Sequence, residues 1–361
     1  MDLDNKTICY FFVYNKTSIP GVHNKILGTL ESAKRKGYNV RQYSCENFER
    51  PSFLKMLFEI VRCKEKYLIV RSIFYLNFLM FPFIFIARLQ GKIIYCDVPS
   101  SFKSAYFEII DFNCSILTKC KYLIGLFIGA SWSLFPYNFI LIYSEDYLFF
   151  TFFLHKKIIF MTNSISKDQV IPRQKKPEWP SNELNLIGVA FVSNYHGYDR
   201  ILQFISEWNI LNKFKINFTI VGDGPALKDL KNYTDILNIS DFISFKGTLS
   251  LNQIYPLYEN SHIAIGSIGL HRKKMMYHSE LKSREYTAIG IPFISTGIDL
   301  DFSNEEKFRI IISSDDSIDE LFKLFNNIDD ILLNINVDYI SNYAKTKLTF
   351  DNKLSKYKLY E

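Results

Sequence analysis

Strand-like and helix-like segments alternate along this chain from near its start, break at one polar, proline-rich stretch, and then alternate again. That rhythm constrains the fold more than any other feature. Strands separated by helices pair in parallel, with the helices laid over the sheet faces. "TICYFFVY" (7–14) reads as a buried strand. The helix after it, 22–36, sets Val22, Ile26, Leu27, Leu30 and Ala33 on one face, and Gly37 stops it. "YLIV" (67–70), "KIIYC" (92–96) and "IIFMTN" (158–163) continue the series. The segment "SKDQVIPRQKKPEWPSNE" (166–183), with Pro172, Pro177 and Pro180, is the linker. Beyond it come a strand in 184–193 and a helix burying Ile201, Leu202, Phe204, Ile205 and Trp208. Strands in 216–225, 262–268, 291–296 and 308–313 follow, with helical stretches from Ser317. The expected fold is α/β: two doubly wound, Rossmann-like domains facing each other across a cleft. Their limits are 1–165 and 184–330, joined by 166–183, with C-terminal helices (331–361) packing back on the first domain.

A length of 361 residues suits two domains of roughly 100–200 residues each. The charge divides unevenly: residues 1–170 hold 21 Lys and Arg against 13 Asp and Glu, and the remainder 22 against 24. The basic first half fits either an anionic partner, such as a membrane surface or a lipid-linked phosphate, or an ordinary solvated surface. Its cations are spread out and match no nucleic-acid module, so a nucleic-acid partner is disfavoured. Six cysteines, all in the first third, form no CxxC pair and no zinc spacing, and read as buried thiols in a reducing compartment. The opening "MDLDNKTICYFFVY" has too short an apolar run for a secretory signal, which places the chain in the cytoplasm. Two apolar stretches, 73–87 and 123–143, raise membrane insertion. The first is too short to span and the second is interrupted by Ser131, Ser133, Pro136 and Asn138, so burial or shallow bilayer contact is expected.

The stretch "HSELKSREYTAIGIPFIST" (278–296) carries the chemistry. Read as a helix over 279–289 with Ser279 as N-cap, it puts Leu281, Ala288 and Ile289 on one face and Glu285 among them. Amides around Glu280 and Leu281 then point toward an anion, and Lys282 and Arg272 supply cations. A carboxylate on the inner face either accepts hydrogen bonds from sugar hydroxyls or pairs with Lys282 along the helix.

"SIGLHRKKMMYHSELKSREYTAIGIPFIST" (267–296) resembles the donor-binding segment of glycosyltransferase family 4, a retaining family with the GT-B fold, in its bacterial surface-polysaccharide branch. The matching residues are Leu270-His271-Arg272-Lys273, Ser279, Leu281-Lys282, Arg284-Glu285-Tyr286, Ala288 and Gly290-Ile291-Pro292. The resemblance covers 184–312 firmly and the earlier part loosely. It implies transfer of a sugar from a nucleotide-sugar to an acceptor with no metal or other cofactor. Glu285 takes the place of the family's second motif glutamate, which holds the ribose. Tyr277 stands where the first belongs, leaving Tyr277 or His278 for the donor-sugar role; Glu280 lies off that face. "VSNYHGYDR" (192–200) matches the phosphate loop and nominates His196, Gly197 and Arg200. "VGDGP" (221–225) reads as structural, and Lys246 lies in the loop near the nucleobase. On the acceptor side the family's glycine-rich loop is reduced to Pro20-Gly21, which also counts against a dinucleotide cofactor. Asp97, in "YCDVPSS" (95–101), either positions the acceptor hydroxyl or caps a surface turn.

The expected function is therefore a retaining glycosyltransferase acting on a lipid-linked saccharide in O-antigen, capsule or related polysaccharide synthesis, peripheral to the inner face of the cytoplasmic membrane. Two rivals remain: a non-hydrolysing nucleotide-sugar 2-epimerase, and a non-catalytic, membrane-associated partner subunit of a polysaccharide assembly complex.

Overall fold

The computed structural model describes residues 7–14, 20–46, 49–72, 74–98, 102–111, 114–129, 131–143, 157–211 and 214–354. The chain forms two compact units, Met1–Ser166 with Thr349–Glu361, and Lys167–Leu348.

The first unit is a six-stranded sheet in the order β2-β1-β3-β4-β5-β6, parallel throughout. Its strands are β1 (Thr7–Tyr14), β2 (Asn39–Glu46), β3 (Tyr67–Arg71), β4 (Ile93–Val98), β5 (Phe139–Ile142) and β6 (Ile158–Phe160). Five helices accompany it: α1 (Pro20–Arg35), α2 (Arg50–Arg62), α3 (Phe74–Leu89), α4 (Phe102–Asp111) and α5 (Ile116–Ile128). β1, β3 and β4 are apolar on both faces because both are covered. Cys9, Phe11, Leu68 and Val70 meet Met56, Ile60, Met80 and Ile84 in one core layer. Tyr10, Ile69 and Tyr95 meet Ile26 and Leu30 of α1 in the other. Pro20 and Gly21 open α1, so the expected acceptor-side loop at Gly21 is instead the first turn of a helix. The stretch 123–143 is not one element: it holds the end of α5, a 3₁₀ turn at Ser131–Leu134 and strand β5. Among the described residues no helix is long and apolar enough to cross a membrane. Cys9, Cys45, Cys63 and Cys96 are buried, but Cys114 is half-buried and Cys120 exposed, because α5 lies at the surface.

The second unit has strands β7 (Glu183–Val189), β8 (Lys215–Val221), β9 (Ile243–Gly247), β10 (Ile263–Ile265), β11 (Phe293–Ser295) and β12 (Arg309–Ile311). Their order is β12-β11-β10-β7-β8-β9, again all parallel. Successive strands run outward from β7 in one direction and from β10 in the other. The point where the direction changes lies between these two, and there an open α/β sheet offers a crevice at its carboxyl edge. The helices are α6 (Tyr198–Leu211), α7 (Leu227–Ile236), α8 (Leu251–Glu259), α9 (Leu281–Ile289), α10 (Asp319–Asn326), α11 (Ile328–Leu332) and α12 (Val337–Lys347). A last short helix, α13 (Phe350–Lys353), belongs to the first unit, where Asp351 pairs with Arg35 of α1 at 2.9 Å. The C-terminal helices are thus divided between the units at Leu348.

Candidate functional site

The site grows from the carboxyl ends of β7 and β10 and the start of α9. After β7 the chain makes a 3₁₀ turn, Asn194–His196, that ends at Gly197 with φ +69°. A Cβ on Gly197 would stand 2.8 Å from Ile268 Cγ1 and 2.9 Å from the Gly269 amide, so only glycine lets the two loops meet. After β10, the Ser267 amide donates to both oxygens of the Glu280 carboxylate, at 3.1 and 3.2 Å.

The helix start differs from expectation. Glu280, not Ser279, is the residue flanking α9; its backbone is extended and its side chain does not cap the helix. Instead the carboxylate turns inward, 3.2 Å from His278 Nε2, 3.3 Å from Ser283 Oγ and 4.0 Å from Lys282 Nζ. The helical-wheel objection to Glu280 fails because the residue precedes the helix. Burial alone would raise its pKa, but Lys282, His278 and Ser267 hold it well below the ordinary carboxylate value. Ser279 is buried beside it, and Leu281 is half-buried as the first residue of α9. Tyr277, also half-buried, pairs its backbone with Ile298.

Lys282 is buried, and its Nζ has no hydrogen-bond partner among the described residues. Its nearest charge is Glu280, and the Tyr198 ring lies 5.5 Å away. Burial lowers its pKa to about 8, with Glu280 and Glu285 opposing. A cation in the first turn of a helix also opposes the helix dipole, so the fold gains nothing from it there. Glu285, one turn further on, is half-buried, and no hydrogen bond or ion pair reaches its carboxylate among the described residues. Burial pushes its pKa up to about 7, against the pull of Lys282. The helix-pairing alternative does not hold, because no salt bridge joins Lys282 to Glu285.

The Glu285 carboxyl releases its proton near pH 7 when folded and near 4.5 ordinarily. It therefore costs stability increasingly between those values, and fully above 7. Glu285→Gln is expected to stabilise the unliganded protein by about 1–3 kcal/mol at pH 8 and hardly at all near pH 4. Chemical denaturation of both proteins across that range measures it; a variant less stable at pH 8 would overturn the assignment.

His196 is buried, and its Nδ1 accepts from the Ser193 amide at 2.9 Å. Burial, then Lys282 and Lys273, keep its pKa well below the ordinary value, so it enters as a neutral Nε2–H donor. Lys273, which the sequence shows only as one of a run of cations, is buried with Nζ 3.5 Å from the centre of the Tyr195 ring. Two other expected cations are already engaged. Arg272 makes a two-pronged pair with Asp199, at 2.8 and 2.7 Å, and reaches Asp316 at 2.6 Å. Arg200 is buried and donates to the backbone carbonyls of Ile268 and Ser317, tying α6 to two loops. Arg272 is held by carboxylates, and Arg200 ties the loops through its two Nη groups while its buried Nε has no hydrogen bond among the described residues. Lys246 is exposed on β9, the edge strand.

The residues flanking Glu285 hold it in place. Tyr286 Oη accepts from the Val189 amide at 3.0 Å and donates to the Ile265 carbonyl at 3.3 Å, bridging the ends of β7 and β10. Arg284 is fully buried and binds Asp299, Asp301 at 2.5 Å and the Glu280 carbonyl at 3.1 Å.

Asp97 belongs to the first unit and is 1% exposed, so it caps no surface turn and meets no solvent. It accepts from Tyr10 at 2.5 Å and Arg71 at 2.9 Å, with Lys25 Nζ at 3.9 Å. Burial would raise its pKa, yet Lys25, Arg71 and Tyr10 keep it lowered, an ionised knot among α1, β1, β3 and β4.

Residues 187–327 match the family of glycosyl transferases group 1. A search of curated protein sequences finds no match. In fold the chain is similar to a sucrose-phosphate synthase from Thermosynechococcus elongatus (TM-score 0.66, 11% identity, 98% of each chain covered). It is similar also to a glycosyltransferase from Rickettsia africae (TM-score 0.62, 15% identity, 98% of this chain and 96% of that one). A third neighbour is the lipopolysaccharide outer core galactosyltransferase WaaB (TM-score 0.60, 13% identity, 97% and 98%).

Proposed function

We propose that this chain, a glycosyltransferase with the GT-B fold, moves a sugar with retention from a nucleotide-sugar donor to a lipid-linked saccharide, in the manner of family 4. The observation that carries the reading is the start of α9. An uncapped helix N-terminus, a buried ammonium without a hydrogen bond and a half-buried carboxylate without one meet where the sheet changes direction. Each group is costly as it stands and satisfied by one ligand class. The amides and Lys282 receive a diphosphate, Glu285 accepts from the ribose hydroxyls, and the neutral His196 donates through Nε2.

As the glycosyl bond breaks, charge gathers on the departing diphosphate, and Lys282 with the helix amides takes the place a divalent cation fills elsewhere. No metal is needed in this scheme. His278, oriented by Glu280, and Tyr277 take the donor-sugar side. An acceptor carried on a lipid pyrophosphate in surface-polysaccharide synthesis suits the basic first 170 residues, and puts the protein to work at the inner membrane surface.

Calorimetric titration with UDP, GDP and their common sugars, beside Glu285→Ala, tests the donor site. Saturable binding weakened about tenfold or more in the variant supports it. No binding of any nucleotide by the wild type would overturn it. Transfer that collapses in EDTA and returns with a divalent cation would overturn the metal-free scheme.

A further inference from the structure

The outer side of the first unit is greasy where a water-facing surface is usually polar. Helix α3 is apolar on its outer as well as its inner side, with Asn77 and Arg88 its polar exceptions. Met80, Ile84 and Ala87 enter the core, while Phe78, Leu79, Phe85, Ile86 and Leu89 stay exposed. Helix α5 packs against α3 and has only Leu126 buried, with Ile116 79% and Leu117 84% exposed. Trp132, in the turn after α5, joins the patch. Its ring lies 5.9 Å from Phe78 and 5.7 Å from Phe81. Phe58 of α2 extends the surface through Phe83 at 5.4 Å. Helices that bury so little of their apolar surface in their own fold are built for another phase.

We infer that this face, formed by α3, α5 and the Ser131–Leu134 turn, is the surface by which the chain lies on an anionic lipid bilayer. The inference rests on the lipid-linked acceptor proposed above and gives that acceptor a place of approach. Charge selects the occupant: α3 and α5 together carry Arg88, Lys119 and Lys121 and not one acidic residue. Length decides the posture. The helices have 16 and 13 residues, about 24 and 20 Å at 1.5 Å per residue, whereas spanning takes roughly 20 residues. They therefore lie in the interface, apolar side chains entering the acyl boundary and lysines meeting headgroup phosphates. Trp132 at the edge is a residue type favoured at that depth.

Flotation of the full chain with vesicles of phosphatidylcholine, with and without phosphatidylglycerol, tests this. The wild type floats with the anionic vesicles. Leu117→Ser combined with Ile124→Ser, both at exposed positions of α5, lowers the bound fraction by about tenfold or more. Lys119→Gln with Lys121→Gln removes the preference for anionic vesicles. Nucleotide affinity stays unchanged in both variants, since these residues lie in the first unit and the donor groups in the second. Wild-type protein that binds nucleotide but floats with neither vesicle would overturn the assignment. So would a serine variant that floats like wild type, or a wild-type dimer in sedimentation that the serine variant dissociates, which would give the face to a second copy. Loss of nucleotide binding with flotation intact would strike the donor reading alone.

Discussion

Replacing Lys282 by methionine is expected to lower kcat for sugar transfer by roughly 10²–10³, the usual loss when one pre-placed donor to a developing negative charge is removed. Methionine keeps much of the buried volume and removes only the ammonium, so folding should be preserved. It also removes a buried charge that no hydrogen bond compensates. The pH dependence identifies the residue. In the free protein Lys282 has a pKa lowered to about 8, and only the protonated form attracts a diphosphate. Wild-type kcat/KM should therefore fall as pH rises through about 8. Below about 7, protonation of Glu285 weakens its acceptance of hydroxyl hydrogens and forms an acid limb. In Lys282→Met the alkaline limb disappears while the acid limb remains, moved to higher pH because Lys282 no longer lowers the Glu285 pKa. A limb near pH 8 that survives in the variant would assign the titration elsewhere.

The two parallel sheets were legible because buried strands such as β1, β3 and β4 are apolar on both faces. Strands β2, β5 and β9 carry a weaker pattern in the sequence. β2 is an edge strand whose Arg41, Gln42 and Ser44 face water, and β9, the opposite edge in the second unit, is only half-buried. β5 hides at the end of an uncharged, largely apolar stretch, 123–143, where periodicity cannot separate a helix end, a turn and a strand. At the site, Lys282 and Glu285 stood out from their position at a helix start. What the sequence could not show is which cations remain available. Arg200, Arg272 and Lys282 look alike in a string of letters. Arg272 is taken by Asp316, 44 positions away, and Arg200 by carbonyls up to 117 away, while Lys282 has only Glu280 close by. Asp97 is the same lesson in a carboxylate. The end of a strand suggests a ligand; in the fold Tyr10 of β1 and Arg71 of β3 hold its Oδ2 in a buried ion knot, while Oδ1 has no hydrogen bond among the described residues.

The triplet Arg284-Glu285-Tyr286 assigns its three side chains to three directions on α9. Glu285 is left unbonded, Tyr286 joins the two strands at the change of direction, and Arg284 faces the opposite loop. Holding an unsatisfied carboxylate and ammonium in fixed positions works against folding, and the neighbours offset that cost. Arg284→Met is accordingly expected to be the most destabilising single change at the site, by about 3–5 kcal/mol, because it leaves Asp299 and Asp301 buried without their cation. Chemical denaturation followed by far-UV circular dichroism reads the loss. Asp299→Asn with Asp301→Asn in the Arg284→Met background should recover part of it, since both partners of the buried pair are then gone. A loss below 1 kcal/mol, roughly what an exposed pair contributes, would mean that the Asp299–Asp301 loop is not held by Arg284. Because Arg284 also donates to the Glu280 carbonyl at 3.1 Å, its removal loosens the residue that flanks α9 and positions His278. Any Arg284→Met protein that still folds should therefore bind nucleotide more weakly than wild type, although Arg284 itself is fully buried behind the site.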